Sequence, residues 1–199
     1  MASNDQIIYD VAIKSGFSPV AAKLVVAQAR FESADYTSNV FKNNLNTSGM
    51  KFIGQPLATR GTLAPLNERS STCKTGGMCL DRDHYAKFKS VEDSAKDKIE
   101  RLYSKTMRGV TPDQLKNAKD ASEFADLLKK RGYYGFGTYG TDLANKEIKQ
   151  YAGGLRAKLL KVNILEFIRE NPKTSATGVF ILLGIIAYYG YWLYKNKNK

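Results

Sequence analysis

One carboxylate in this chain stands where chemistry would need it. Glu32 comes near the end of the stretch Gln28-Ala29-Arg30-Phe31-Glu32-Ser33, where a largely apolar segment closes, and a Glu in that setting is costly unless it has a partner or a task. It follows Val25 by seven residues, so on a helix it lies over the inward stripe, at the C-terminal end. The helix dipole there works against a negative charge and burial adds to this, so both favour the protonated carboxyl that a general acid requires. Further on, Asn43-Asn44-Leu45-Asn46-Thr47-Ser48-Gly49-Met50-Lys51 is an Asn-rich, Gly-containing loop, a polar wall suited to a polar ligand. Together the two segments read as a buried acid facing a sugar cleft.

The elements that would hold them are mostly helices. Ser3 caps a first helix through about Ser15, with Ile7, Ile8, Val11 and Ala12 on its apolar face and Gly16 at its end. Ser18-Pro19 opens a second, reaching about Ser33, with Leu24, Val25, Gln28 and Phe31 on or beside one face. Residues 51–88 lose helical periodicity and carry Gly54, Pro56, Gly61, Pro65 and Gly76-Gly77, which predicts a small β-hairpin lobe ending at Tyr85-Ala86-Lys87-Phe88. Helices then resume behind Ser90, Thr111-Pro112 and Asp120, the last closed by Lys129-Lys130-Arg131-Gly132. After a Gly/Tyr loop, a final helix from about Asp142 carries Ile148, Tyr151, Leu155, Leu159 and Val162. The fold class expected is α+β, mainly α.

Hydrophobic content of 43% and charged content of 25% are those of a folded protein. The net charge is +12; residues 163–199 contribute +3, so residues 1–162 carry +9 by themselves. That suits a polyanionic partner such as an anionic lipid or a carboxylate-bearing wall. Nucleic acid is not expected, because the chain has no zinc finger, Arg-rich arm or RNP-like strand. No cofactor is expected either, and metal binding finds no support with His84 as the only histidine. Cys73 and Cys79 flank Gly76-Gly77, a hairpin-turn signal that could set the thiols opposite each other; a disulfide and two unpaired thiols both fit. The first residues have neither the basic nor the apolar region of a signal peptide. Residues 174–194 carry no charge, hold Tyr188, Tyr189, Tyr191, Trp192 and Tyr194 at one end, and precede Lys195-Asn196-Lys197-Asn198-Lys199. As a helix rising about 1.5 Å per residue they would cross a bilayer core of about 30 Å, with an aromatic belt at the interface. The organisation expected is a catalytic domain over residues 1–162, a linker over 163–173, a transmembrane helix over 174–194 and a basic tail over 195–199.

Four segments resemble a known family. Gln28-Ala29-Arg30-Phe31-Glu32-Ser33, the loop Asn44-Leu45-Asn46 with Gly49-Met50-Lys51, the run Tyr85-Ala86-Lys87-Phe88-Lys89-Ser90, and Phe124, Leu127-Leu128, Gly132-Tyr133-Tyr134 with Tyr151-Ala152-Gly153-Gly154-Leu155 occur in the order seen in glucosaminidase domains of glycoside hydrolase family 73, of the lysozyme-like superfamily. The resemblance spans roughly residues 5–160. It implies a lysozyme-like helical domain with a β-lobe, cleaving the β-1,4 bond between N-acetylglucosamine and N-acetylmuramic acid in peptidoglycan. Carried over by residue, Glu32 is the general acid. The second carboxylate, where the family has one, comes from the lobe; Glu68 matches best, with Asp81 and Asp83 as competitors. A lobe carboxylate far from Glu32 fits inversion through an activated water, and assistance from the N-acetyl group needs no second carboxylate. Tyr134 matches the cleft tyrosine, with Tyr133 able to exchange roles with it; Asn44, Asn46, Tyr133 and Tyr139 would contact the glycan. Thr47-Ser48 depart from the family, which usually has an aromatic there.

The resemblance and residues 174–194 together imply a membrane-anchored wall hydrolase. A tail-anchored domain would stay on the synthesis side of the membrane, away from the wall, which points to carriage in a phage particle, with virion proteins as partners and the virion membrane or host envelope as its place. A cellular autolysin, a lytic transglycosylase on the same fold and a non-enzymatic holin-like membrane protein are the rival readings.

Overall fold

The computed structural model describes residues 2–135 and 138–162. Eight helices and one two-stranded sheet are found there: α1 (Asn4–Lys14), α2 (Pro19–Glu32), α3 (Asn39–Asn44), β1 (Ala58–Leu63), α4 (Ser71–Lys74), β2 (His84–Phe88), α5 (Val91–Tyr103), α6 (Pro112–Lys116), α7 (Ala121–Lys130) and α8 (Asp142–Leu159). The expected linker, transmembrane segment and basic tail, residues 163–199, lie outside the described residues; among the described ones no helix is long and apolar enough to cross a membrane.

Most helix starts are set by a single side chain. The hydroxyls of Ser3, Ser18, Ser90 and Thr111 and the carboxylate of Asp120 each accept a backbone N–H in the first turn, which satisfies donors the helix itself cannot. α2 is the central element. Ala21, Ala22, Leu24, Val25, Val26, Ala27, Gln28 and Ala29 are all buried, and its many alanines let α1 and α8 approach closely. α7 lies against α8 and α1 against α5, so the end of α2 is enclosed by helices from three distant parts of the sequence.

Two local features were not legible in the sequence. Between α2 and α3, Ala34, Asp35 and Tyr36 all take positive φ, at 52°, 55° and 66°. Three consecutive non-glycine residues in the left-handed region cost of the order of 1–2 kcal/mol each, so side chains must hold the turn. Arg30 bonds Asp5 through Nε and Nη2 at 2.7–2.9 Å and reaches Asp35 at 3.3 Å, Lys158 and Lys161 each meet Asp35 at 2.7 Å, and the Tyr36 hydroxyl donates to Asp5 at 2.8 Å. Burial acts to raise the pKa of Asp35, but hydrogen bonds from Lys158, Lys161 and Arg30 prevail and hold it down at about 2. The second feature is α3 itself, a short helix capped by Ser38 in a stretch with no clear periodicity.

The lobe differs from a simple hairpin. β1 and β2 pair antiparallel, Ala58 opposite Phe88, Arg60 opposite Ala86 and Leu63 opposite His84, with an irregularity between Arg60 and Leu63. Gly76-Gly77 is not the turn that joins the strands. It follows α4 inside a loop closed by a Cys73–Cys79 disulfide, and the connection between strands also contains short 3-10 turns at Leu66–Glu68 and Asp81–Asp83. The reason is Ser70, which caps α4 and turns the chain away from the sheet before the glycines are reached. Buried Asp83 ties this connection down, accepting from Ser70 N at 2.6 Å, Ser70 Oγ at 2.7 Å and Leu80 N at 2.7 Å; the Ser70 backbone bond leads in holding its carboxyl below the usual range.

Candidate active site

Glu32 ends α2 with its side chain 14% exposed. Its Oε1 accepts three hydrogen bonds, from Gln28 Nε2 at 3.0 Å, Tyr133 OH at 2.8 Å and Tyr151 OH at 2.7 Å. Its Oε2 meets Lys98 Nζ at 3.1 Å. Helix end and burial act against a charge here, and the four donors act for it. The donors come from α2, α5, α8 and the segment following α7, so the carboxylate sits where those elements converge.

A buried amide organises this shell. Gln28, fully buried, spans the gap one turn before Glu32: its Nε2 also donates to Tyr151 OH at 3.0 Å and its Oε1 accepts from the buried Tyr103 hydroxyl. Tyr151 is fixed by its ring as well, stacked on Tyr134 at 4.1 Å with 7° between planes and edge-on to Phe31 at 5.3 Å. Gly154 makes room for that contact, since a Cβ there would meet the Phe31 ring. Burial first and the Glu32 charge second push the hydroxyls of Tyr103, Tyr133 and Tyr151 upward in pKa, so all three stay neutral donors.

The other expected residues fall in different places. Tyr133 reaches Glu32, whereas the Tyr134 hydroxyl donates to Ala125 O at 2.8 Å and only its ring faces Tyr151. Glu68 is on the lobe, in the 3-10 turn after β1, paired with Lys51 at 2.6 Å and accepting from Tyr85 OH at 3.1 Å. The Lys51 hydrogen bond is the main cause that holds its carboxyl below the usual range. Asp81 pairs with Arg60, and Asp83 is the buried tie described above. Asn44 and Asn46 are inside the fold. Asn44 bonds Thr62 through both ends of its amide, at 2.8 and 3.0 Å, bracing β1. Asn46 donates to Met50 O and Ala86 O and accepts from the Ser48 and Met50 amides, which shapes the loop. Tyr139 bonds Asp126 and lines a cavity of about 650 Å³ together with Arg108, Lys129, Lys130, Tyr134 and Thr138.

Three members of the shell were missed as site residues, and two had a signal. Lys98 falls on the stripe Val91, Ala95, Ile99, Leu102 of α5, at a position that spacing assigns to the interior, and a lysine there asks for a buried partner. Tyr151 lies on the apolar stripe of α8, and a buried tyrosine hydroxyl generally finds a partner. Gln28 was placed beside the inward face but without a role.

The sequence matches the glucosaminidase family, described as mannosyl-glycoprotein endo-beta-N-acetylglucosaminidase, over residues 7–158. No curated protein matches. Among solved structures the chain is similar to one in a type VI secretion system effector-immunity complex from Pseudomonas protegens, at 17% identity over 77% of this chain and 86% of that one, with a TM-score of 0.45. It is also similar to the catalytic domain of the autolysin Auto from Listeria monocytogenes, at 22% identity over 80% of each chain, with a TM-score of 0.46. The family match spans residues 7–158, the Glu32 shell included, and the chain therefore belongs to the glucosaminidase family and is a glycoside hydrolase.

Proposed function

We propose that the chain is a peptidoglycan hydrolase that cleaves the β-1,4 glycosidic bond of the N-acetylglucosamine/N-acetylmuramic acid backbone, with Glu32 as the general acid. The observation that carries this reading is the Glu32 carboxylate, fixed by donors on both oxygens at the end of α2 in a chain of the glucosaminidase family. Glu32 protonates the bridging oxygen as the bond to the anomeric carbon breaks, and the Gln28, Tyr133 and Tyr151 donors take up the charge that appears on Oε1. Glu68 supplies the base. Its pairing with Lys51 keeps it ionised at neutral pH, and a lobe carboxylate of that kind fits activation of water in an inverting reaction. The basic domain, +9 over residues 1–162, supports a polyanionic wall as substrate.

Attachment to a membrane through residues 174–194 is part of the proposal, supported by their lack of charge, their aromatic belt and the lysine tail. Carriage in a virion would bring a domain anchored in this way to a wall from outside.

Glu32→Gln tests the assignment. Clearing of purified peptidoglycan in a zymogram disappears if Glu32 is the acid and persists if it is not. Product analysis of the wild-type digest shows a reducing sugar end for hydrolysis, and a 1,6-anhydro end would instead assign the chain to the transglycosylases.

A further inference from the structure

Lys98 is a charged side chain with almost no access to water. It is 1% exposed, and its ammonium, with three N–H donors, has one acceptor among the described residues, Glu32 Oε2 at 3.1 Å. An ammonium so placed carries a heavy desolvation cost that one carboxylate offsets only in part. The two oxygens of Glu32 are also unequal. Oε1 is filled by three donors, and among the described residues Oε2 has only Lys98. Oε2 is thus the oxygen with room for the acid proton, and any proton on it lies next to Nζ.

We propose that Lys98 stores the proton that Glu32 uses: in the resting enzyme the proton sits on Nζ, and it passes to Glu32 Oε2 when bound glycan closes the cleft to water. The inference rests on Glu32 as the general acid. In the step, the Nζ–H bond breaks and the Oε2–H bond forms, which leaves a neutral amine beside a neutral carboxyl. Glu32 then gives the proton to the glycosidic oxygen, which keeps the electron pair of the broken bond. The water that adds to the anomeric carbon leaves its hydroxyl there and gives its proton to Glu68, which releases it to solvent, and solvent returns a proton to the pair.

Among the described residues no other neighbouring group can take this part. Gln28 from α2 does not titrate, and Tyr103 from α5, Tyr133 after α7 and Tyr151 from α8 are all held neutral by burial and the adjacent charge. Arg131, whose charge acts on Tyr103, is engaged by the carbonyls of Leu102, Lys105 and Val110 and does not give up its proton. Burial lowers the proton affinity of Lys98, with the Glu32 charge opposing. Nζ and Oε2 are 3.1 Å apart, a single hydrogen bond, so Lys98 is placed to hand its proton directly to Glu32.

The test is the pH profile of kcat/KM on purified peptidoglycan for full-length wild type, Lys98→Arg and Lys98→Met, with each fold checked by thermal melting. Wild type should stay active through neutral pH, well above the ordinary carboxyl range near 4.3. Lys98→Arg keeps the cation but withholds the proton, so activity at pH 7 should fall at least about 10-fold and recover toward pH 4–5, where water protonates Glu32. Lys98→Met, close in size and uncharged, should move the alkaline limb down by roughly one pH unit or more, toward the range of a lone carboxyl. A purely electrostatic or structural lysine predicts the reverse: a wild-type profile in Lys98→Arg, and an alkaline limb that rises in Lys98→Met. Either result overturns the proposal, as does a wild-type limb already in the carboxyl range, which requires no variant. Activity in Glu32→Gln would instead strike the general-acid assignment, so the two failures are told apart.

Discussion

Tyr151→Phe isolates one hydrogen bond of the Glu32 shell. The change removes a hydroxyl that donates to Glu32 Oε1 at 2.7 Å and accepts from Gln28 Nε2 at 3.0 Å, while the ring keeps its stack on Tyr134 and its edge on Phe31. A hydrogen bond to a charged group is worth about 1.5–3 kcal/mol. Gln28 Nε2 carries two N–H groups, one given to Glu32 and one to Tyr151, so the change leaves one of them without its acceptor, a cost in stability, while the carboxylate keeps the Gln28 and Tyr133 donors on Oε1. That places the loss near the lower end, about 1.5–2 kcal/mol, or roughly 10- to 30-fold in rate. The loss should appear in kcat, because the hydroxyl stabilises charge that develops on Glu32 as its proton leaves, whereas KM should hold. The assay is steady-state release of reducing ends from a soluble glycan fragment of peptidoglycan, alongside a thermal melt. Stability should fall by about 1–3 kcal/mol, or roughly 2–12 °C in a domain of this size, because the buried Gln28 N–H loses its acceptor. A folded Tyr151→Phe enzyme with wild-type kcat, or one with raised KM and unchanged kcat, would refute the reasoning.

Two further outcomes test the frame around the site. Asp35 has a folded pKa of about 2 against roughly 3.9 in the unfolded chain, so its stabilisation is complete above about pH 4 and is lost as pH falls toward 2. Asp35→Asn should lower the melting temperature at pH 7 by the equivalent of about 1–2 kcal/mol, and the gap from wild type should close in acid melts between pH 4 and pH 2. A gap that persists at pH 2 would show that the turn depends on something other than the charge. Gly61→Ala would press a Cβ into the Asn44 side-chain oxygen and within 2.8 Å of Tyr85 O, so a loss of about 1–3 kcal/mol is expected by denaturant titration. An unchanged midpoint would mean that the contact between α3 and β1 yields freely.

What the sequence disclosed and what it withheld follow the range of the forces involved. The caps at Ser3, Ser18, Ser90, Thr111 and Asp120 act within one turn, and each helix start was legible from them. Glu32 was legible because its spacing from Val25 is itself a statement about direction. The partners of Glu32 were not, since Lys98, Tyr133 and Tyr151 meet it across 66, 101 and 119 residues, and only packing decides which of two adjacent tyrosines turns inward. Asn44 and Asn46 show the opposite effect. Their composition read as a polar wall, yet their amides satisfy backbone and threonine groups that an irregular buried loop would otherwise strand. The left-handed run 34–36 was not legible because much of its support comes from distant segments, the Tyr36–Asp5 bond and the pairs of Asp35 with Lys158 and Lys161.

The long reach of the Glu32 shell also sets when the enzyme can exist. Ribosomes release the chain from its start, so α1 to α5 can pack while Tyr133 and Tyr151 are still unmade. Until α8 has emerged and docked on α2, Glu32 lacks the hydroxyls that hold Oε1, and Gln28 lacks the phenol it braces. A chain cut short before residue 151 would carry Glu32 but not its setting. Under the proposed function, completion of synthesis is thereby also the moment of arming.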